Sequence, residues 1–138
     1  MFNLRKIENA RQNVPEPVFY EVKASEAVTS GEALVLSAGK LTKAGATVKP
    51  EYIAMADCAA DATNREIPVC RVESNQIYEV EVTFSAEAVE IVAGTKVKLT
   101  ADGLGVTDVT TGGVVTVVDA LDANTEKTTG NKTLVRIV

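Results

Sequence analysis

Carboxylates and cysteines are the side chains of this sequence that could do chemistry. Its 138 residues include 19 Asp and Glu, two Cys and no His. Without His the commonest general base near neutral pH is missing, so Ser-His-Asp and Cys-His catalytic arrangements are excluded. Cys58 and Cys70 could hold zinc only with help from carboxylates, so we expect small buried apolar side chains there. Gly112-Gly113 is typical of a turn rather than of a phosphate-binding loop.

Two kinds of carboxylate site are compatible with these residue types. A glycosidase-like reaction needs two facing carboxylates, and the residues that could supply them are Glu79, Glu81, Glu87 and Glu90. Glutamates that alternate along a strand are, however, typical of a face turned to solvent. A calcium site could use Asp57, Asp61, Asp119 and Asp122, but the sequence has no Asp-x-Asp-x-Asp-Gly loop. We therefore predict no enzyme activity, no cofactor and no metal, and expect Asp57 and Asp119 to bond turn amides.

The charge and hydropathy patterns limit the kinds of partner. The net charge is −5, and binding to nucleic acid needs clustered Lys and Arg, so we predict no nucleic-acid partner. No apolar run reaches the roughly 20 residues that a membrane-spanning helix needs. Residues 1–12 (MFNLRKIENARQ) lack the apolar core of a signal peptide. We therefore predict no membrane contact and synthesis in a cytoplasm.

The sequence repeats itself. Residues 20–23 (YEVK) are echoed by 78–81 (YEVE), and four further stretches recur in the same order. These further pairs are 25–28 with 86–89, 31–39 with 94–103, 55–57 with 117–119, and 69–72 with 134–137. An ordered series of echoes indicates duplication of one structural unit. We predict two similar units, at about 20–72 and 78–138, within one domain that spans 19–138.

The residue pattern within each unit is typical of strands and turns. Val, Ala, Ile and Leu dominate the apolar residues and Trp is absent, which favours sheet over helix. Asp102-Gly103 is a hairpin signal, and residues 114–120 form an apolar run typical of a buried strand. The polar stretches 61–65 and 122–130 are expected to be loops, and 85–92 is the best helix candidate. The fold class is therefore all-β: a small barrel or sandwich with an internal pseudo-twofold duplication.

Residues 1–18 lie outside the repeat and are predicted to form an extended N-terminal arm. Pro15 and Pro17 disfavour pairing as a central strand, and Leu4, Ile7 and Ala10 could line one side of a short helix. Chain ends are often disordered, but a few apolar anchors can also order on a partner's sheet edge or groove. The residues predicted to bind such a partner are Phe2, Leu4, Arg5, Lys6, Ile7, Arg11, Val14 and Pro15.

The strand-and-turn pattern also resembles a known family. Residues 28–35 (VTSGEALV) are followed by 39–41 (GKL), and the second half carries 93–97 (AGTKV), Asp102-Gly103 and the terminal 134–138 (LVRIV). Over most of 20–138 this arrangement resembles the head decoration (capsid cement) proteins of bacteriophages. The resemblance implies a non-catalytic protein on the virion surface that binds the major capsid protein, often as a trimer, and stabilises the assembled shell. The longer N-terminal stretch departs from the smallest members of the family.

Two other functions remain open from the sequence. A tail-tube or fibre-base subunit would also be a β-rich structural protein of a virion. A carbohydrate-binding β module, or an enzyme on a β-barrel, would be favoured by aromatic platforms, but the chain has only three Phe and three Tyr.

Overall fold

The computed structural model describes residues 1–10 and 15–138, so Arg11 and Val14 lie outside the described residues. The described chain contains eleven strands and no helix, and therefore no helix long and apolar enough to span a membrane. The all-β prediction is confirmed: two sheets pack in a sandwich-like fold that is not closed into a barrel. The helix predicted at 85–92 is wrong, because the Asp108 carboxylate accepts the amide hydrogens of Ser85 and Val89 and holds the segment as a turn.

The strands fall into an N-terminal strand and two sets of five. The N-terminal strand is β1 (Asn3–Ile7). The first set consists of β2 (Val18–Glu21), β3 (Ala33–Ser37), β4 (Lys40–Lys43), β5 (Tyr52–Ala54) and β6 (Glu66–Arg71). The second set consists of β7 (Gln76–Thr83), β8 (Lys96–Val97), β9 (Gly105–Thr107), β10 (Val115–Asp119) and β11 (Lys132–Arg136).

The two sets have the same strand order, as the sequence repeat predicts. One sheet has the order β2-β6-β5-β3-β4, and the other has β1-β7-β11-β10-β8. Across each sheet, the strands of the set therefore follow one another in the order first, fifth, fourth and second. The third strand differs: β4 pairs with β3, whereas β9 pairs in parallel with β7. Each third strand also makes a single bridge. In the first set, the Val22–Leu41 bridge connects β4 to the chain just after β2, as β9 pairs with β7 in the second set. In the second set, the Leu99–Val106 bridge connects β9 to the chain just after β8, as β4 pairs with β3 in the first set.

The backbone hydrogen bonds define which residues correspond. The Gly31 amide donates to the Ala54 carbonyl at 2.7 Å, and the Gly94 amide donates to the Val117 carbonyl at 2.8 Å. The echo between 31–39 and 94–103 is therefore confirmed. Val117 corresponds to Ala54 rather than to Met55, so the echo between 55–57 and 117–119 is wrong by one residue.

The first echo is displaced further. The Val22 amide donates to the Arg65 carbonyl, and the Val82 amide, not that of Val80, donates to the corresponding Asn131 carbonyl. The match of Tyr20 with Tyr78 is therefore wrong by two residues. Because side chains alternate along a strand with a period of two, this displacement leaves every side chain on the same face. For β2 and β7 the sequence repeat thus predicts the faces correctly but not the register.

The two units share a hydrophobic core. One cluster of buried side chains contains Ala33, Ala44 and Ile53 of the first unit together with Val97 and Leu99 of the second. A second cluster lies within the first unit, on the opposite face of its sheet, and includes Val22, Leu34, Leu41, Tyr52 and Val69.

The N-terminal segment is part of this fold. β1 pairs antiparallel with β7, and Leu4 lies opposite Tyr78. The Phe2 side chain is only 3% exposed and its ring meets that of Tyr78 edge-on, with centroids 6.1 Å apart. The prediction of an unattached arm is therefore wrong for these residues, as is the short helix through Leu4, Ile7 and Ala10. The physical reason is that Phe2 fills the core between the units while β1 covers the edge of β7.

Both ends of this segment are fixed. The Phe2 amide donates to the Gly31 carbonyl at 2.9 Å, and a Cβ at Gly31 would lie 2.5 Å from the Cβ of Met1. Only glycine at position 31 therefore allows the N-terminal segment to pass this close. At the other end, the Glu8 amide donates to the Asn75 carbonyl at 2.8 Å, and the Glu8 carboxylate forms an ion pair with Arg136.

Phe2→Ala should destabilise the whole domain. Replacing a buried Phe by Ala costs about 3–5 kcal/mol in protein cores, and the Phe2 side chain packs in the core shared by both units. We expect urea denaturation to give a free energy of unfolding lower by about that amount. Lys6→Ala, at an exposed position of β1, is the matched control and should change stability little. Equal stability of the two variants would show that β1 does not hold the units together.

Candidate functional site

The structure brings together three of the residues predicted to bind a partner. Phe2, Leu4 and Pro15 line one cleft between β1 and the five-stranded sheet. Arg5 and Lys6 are exposed on β1, where Arg5 lies 3.6 Å from the Glu79 carboxylate. Ile7 is half-buried. The predicted set is therefore divided between a cleft and an outer face.

The cleft is small and mainly apolar. Its volume is about 230 Å³, and it is lined by Phe2, Asn3, Leu4, Pro15, Ile53, Ala54, Met55, Cys70 and Tyr78. Hydrogen bonds fix the polar atoms beneath it: the Tyr78 hydroxyl donates to Gln76 Oε1 at 2.8 Å, and Gln76 Nε2 donates to the Arg71 carbonyl at 3.0 Å. The Cys70 sulfur lies 3.6 Å from the Tyr78 hydroxyl.

Burial makes the cysteine and tyrosine of this cleft unreactive. Burial raises the pKa of the Cys70 thiol and raises the pKa of Tyr78 still further. Both groups therefore keep their protons near neutral pH, and a protonated thiol is a poor nucleophile. The prediction that Cys58 and Cys70 are buried, small side chains is confirmed. The described lining of the cleft can contact an apolar group through Phe2, Leu4 and Ile53.

A row of apolar side chains at the surface continues from the cleft. Phe19 on β2 lies directly opposite Pro68 on β6, and the Met55 amide donates to the Pro68 carbonyl at 3.0 Å. These three residues, here called the apolar row, lie side by side across three neighbouring chain segments. Phe19 is 55% exposed and Met55 is 40% exposed. Because Met55 also lines the cleft, the apolar row and the cleft form one surface.

Strand alternation explains why the apolar row faces solvent. Val18 and Tyr20, on either side of Phe19, pack with Ile67 and Val69 in the core of the first unit. Phe19 must therefore point to the other face of the sheet. Pro68 has no amide hydrogen to return to Met55, and β5 ends at Ala54, immediately before this position. The sequence analysis missed the apolar row because its members are far apart along the chain and meet only through strand pairing.

The carboxylates considered as catalytic or calcium-binding groups have structural roles or lie apart. The Glu79 carboxylate is 3.3 Å from the Lys132 ammonium, and Glu81 is exposed. Asp57 accepts the Ser30 amide at 2.7 Å and Asp119 accepts the Leu121 amide at 2.8 Å, which confirms the prediction for both. Within residues 1–10 and 15–138, no three acidic or cysteine side chains are arranged to hold a metal ion.

Glu32 is a buried carboxylate that no pattern in the sequence indicates. Its side chain is 3% exposed, and Oε2 accepts the Thr29 amide at 2.8 Å. Oε1 has no hydrogen-bond partner, and Lys43 Nζ is 4.0 Å away. Burial raises the pKa of Glu32, and the Glu26 and Asp102 carboxylates raise it further, while the Thr29 amide and Lys43 oppose this. Glu32 lies where the units meet, since the adjacent Ala33 amide donates to the Gly103 carbonyl.

No protein-family model matches this chain, and no curated protein matches it in sequence. The surface described above and the residue pattern of the repeat are therefore the observations that bear on function.

Glu32→Gln should change how stability depends on pH. A carboxyl whose pKa is raised by folding stabilises the protein fully only below its unfolded pKa, near 4.5, and this contribution is lost as the pH rises through the folded pKa. Gln keeps an acceptor for the Thr29 amide without the buried charge. We expect the variant to be more stable than the parent at about pH 7.5 and to lose this advantage at about pH 4.

Urea denaturation at the two pH values measures this effect. Glu90→Gln, at an exposed position, is the control and should leave the pH dependence unchanged. A Glu32→Gln variant that is less stable than the parent at the higher pH would show that the Lys43 ion pair outweighs the cost of burying the charge.

Proposed function

We propose that this protein is a capsid decoration protein, which binds the outer surface of an assembled phage head through the apolar row and stabilises it without catalysis. The observation that carries the proposal is the exposure of Phe19 and Met55 on either side of Pro68, in register across a paired sheet. A contiguous apolar surface with an aromatic residue is typical of a protein-binding site. The core on the opposite face already holds this sheet in place. A partner can therefore bind the surface without the free-energy cost of ordering it first.

The resemblance of the repeat to head decoration proteins supplies the kind of partner. It favours the major capsid protein as the binding partner, a homo-oligomer (a trimer in the commonest case) and a location on the virion surface. An oligomer gains affinity by multivalency, since several modest contacts act together on one shell. The apolar row consists of only three residues, which is compatible with such repeated weak contacts.

The docking surface differs from the one that the sequence predicts. Phe2 is buried and serves the fold, so it is unavailable to a partner in the folded protein. Leu4 and Pro15 border the cleft next to Met55, and they can extend the contact from the apolar row. Arg5 and Lys6 lie on the exposed side of β1.

The double variant Phe19→Ser, Met55→Ser should lose binding to capsid shells. Truncating one hot-spot residue at the centre of an interface costs about 2 kcal/mol or more, so the loss of even one such contact should lower affinity by about thirtyfold or more. Co-sedimentation with empty expanded shells, prepared from the phage or prophage that carries this gene, measures the loss. Both side chains are exposed, so the free energy of unfolding should change little.

Val92→Ser is the matched control for this variant. Val92 is 50% exposed, comparable to the mutated residues, but belongs to the second unit. Full binding by the double variant would exclude the apolar row as the docking surface. Rings or tubes formed by the purified protein, seen by electron microscopy, would instead favour the tail-tube alternative.

A further inference from the structure

The apolar row is bordered by acidic side chains on the same face of the sheet. Glu21 lies directly opposite Glu66, and each is two residues along its strand from Phe19 or Pro68. Since side chains two residues apart point to the same face, Phe19, Pro68, Glu21 and Glu66 share one surface. Asp57, also exposed, follows Met55 by two residues along the chain. We call Glu21 and Glu66 the acidic border.

The acidic border is incompletely neutralised within the chain. Like charges directly opposite on neighbouring strands are destabilising. Glu21 forms an ion pair with Lys40, whose hydrogen bond and charge lower the pKa of that carboxyl. The Glu66 carboxylate is exposed and has neither an ion pair nor a hydrogen bond to any part of the chain that the structure describes. The backbone amide of Glu66 is satisfied by Asn64 Oδ1 at 3.2 Å.

We infer that the partner places a basic side chain, Lys or Arg, beside the apolar group that covers the apolar row, and that this cation pairs with Glu66. The inference rests on the proposed function, since it describes the partner of the same surface. Charge complementarity at an interface fixes register and suppresses wrong partners more than it adds affinity. The apolar row and the acidic border together thus select a protein surface on which an apolar group and a basic group lie at a matching distance from each other. A shell protein with a basic residue next to an exposed aliphatic or aromatic side chain has this chemistry.

Glu66→Lys tests this inference on the same capsid shells. We expect binding to weaken by about tenfold or more in about 0.05 M NaCl, and the difference from the parent to shrink in about 0.5 M NaCl because salt screens charges at a wet rim. Glu66→Gln should show a smaller loss. Glu66→Lys also places a cation opposite Glu21, so its melting temperature should equal or exceed that of the parent. A loss of binding therefore cannot be a folding defect if the melting temperature is maintained.

Glu90→Lys is the control, because it makes the same charge change at an exposed position of the second unit. If Phe19→Ser, Met55→Ser loses binding while Glu66→Lys and Glu90→Lys bind equally, the docking surface stands and the basic partner group is refuted. Tighter binding by Glu66→Lys would show an acidic partner and refute the inference as well. If all these variants bind like the parent, the proposed docking surface itself fails.

A second copy of the chain is the other possible occupant of this surface. Sedimentation velocity of the pure protein distinguishes it from a shell protein. If Glu66→Lys abolishes self-association of the parent while shell binding is unchanged, the cation belongs to another copy and the inference about the shell is overturned. If self-association is unaffected and shell binding falls, the basic group belongs to the shell.

Discussion

The insertion of Phe2 between the two units is the interaction on which the rest of this structure depends. The ring packs against Tyr78 of the second unit, and the amide of the same residue bonds Gly31 of the first. This one residue therefore contacts both units, at the centre of the core that they share. β1 follows from this anchor, since its pairing covers the edge of β7 that the second unit would leave open.

The N-terminal segment and the second unit cover only part of one face of the five-stranded sheet, and the rest of that face stays exposed. One face of that sheet is buried by the core of the first unit. On the other face, Ile53 is buried in the shared core with Phe2 and Tyr78, and Cys70 lies against the Tyr78 hydroxyl. Phe19 and Met55 lie beyond this cover and stay in solvent. The candidate docking surface is thus the uncovered part of a face that the fold buries only in part.

The hydrogen bonds of the two units are more similar to each other than their residues are. In the first unit the backbones of Val28 and Cys58 exchange two hydrogen bonds, at 2.9 and 2.8 Å. In the second unit the Asn124 side chain does the same for Ile91, accepting its amide and donating to its carbonyl, both at 2.8 Å. A side-chain amide has the same donor and acceptor as a peptide group, so it can replace a backbone bridge where the loop follows another path.

Residue patterns are sufficient to predict the strand-rich class, two similar units, the turn at Asp102-Gly103 and the amide-bonding role of Asp57 and Asp119. These depend on alternation, on turn residues and on short-range chemistry, which the local sequence encodes. Three features follow only from the folded chain: residues 2–7 join the core, 85–92 is not helical, and Phe19 meets Pro68 and Met55. Each of these depends on pairing between distant segments: a free strand edge for β1, the Asp108 carboxylate for 85–92, and the β2-β6-β5 order for the apolar row. Local patterns carry no information about which distant strand becomes a neighbour, and this is why the docking surface could not be predicted from them.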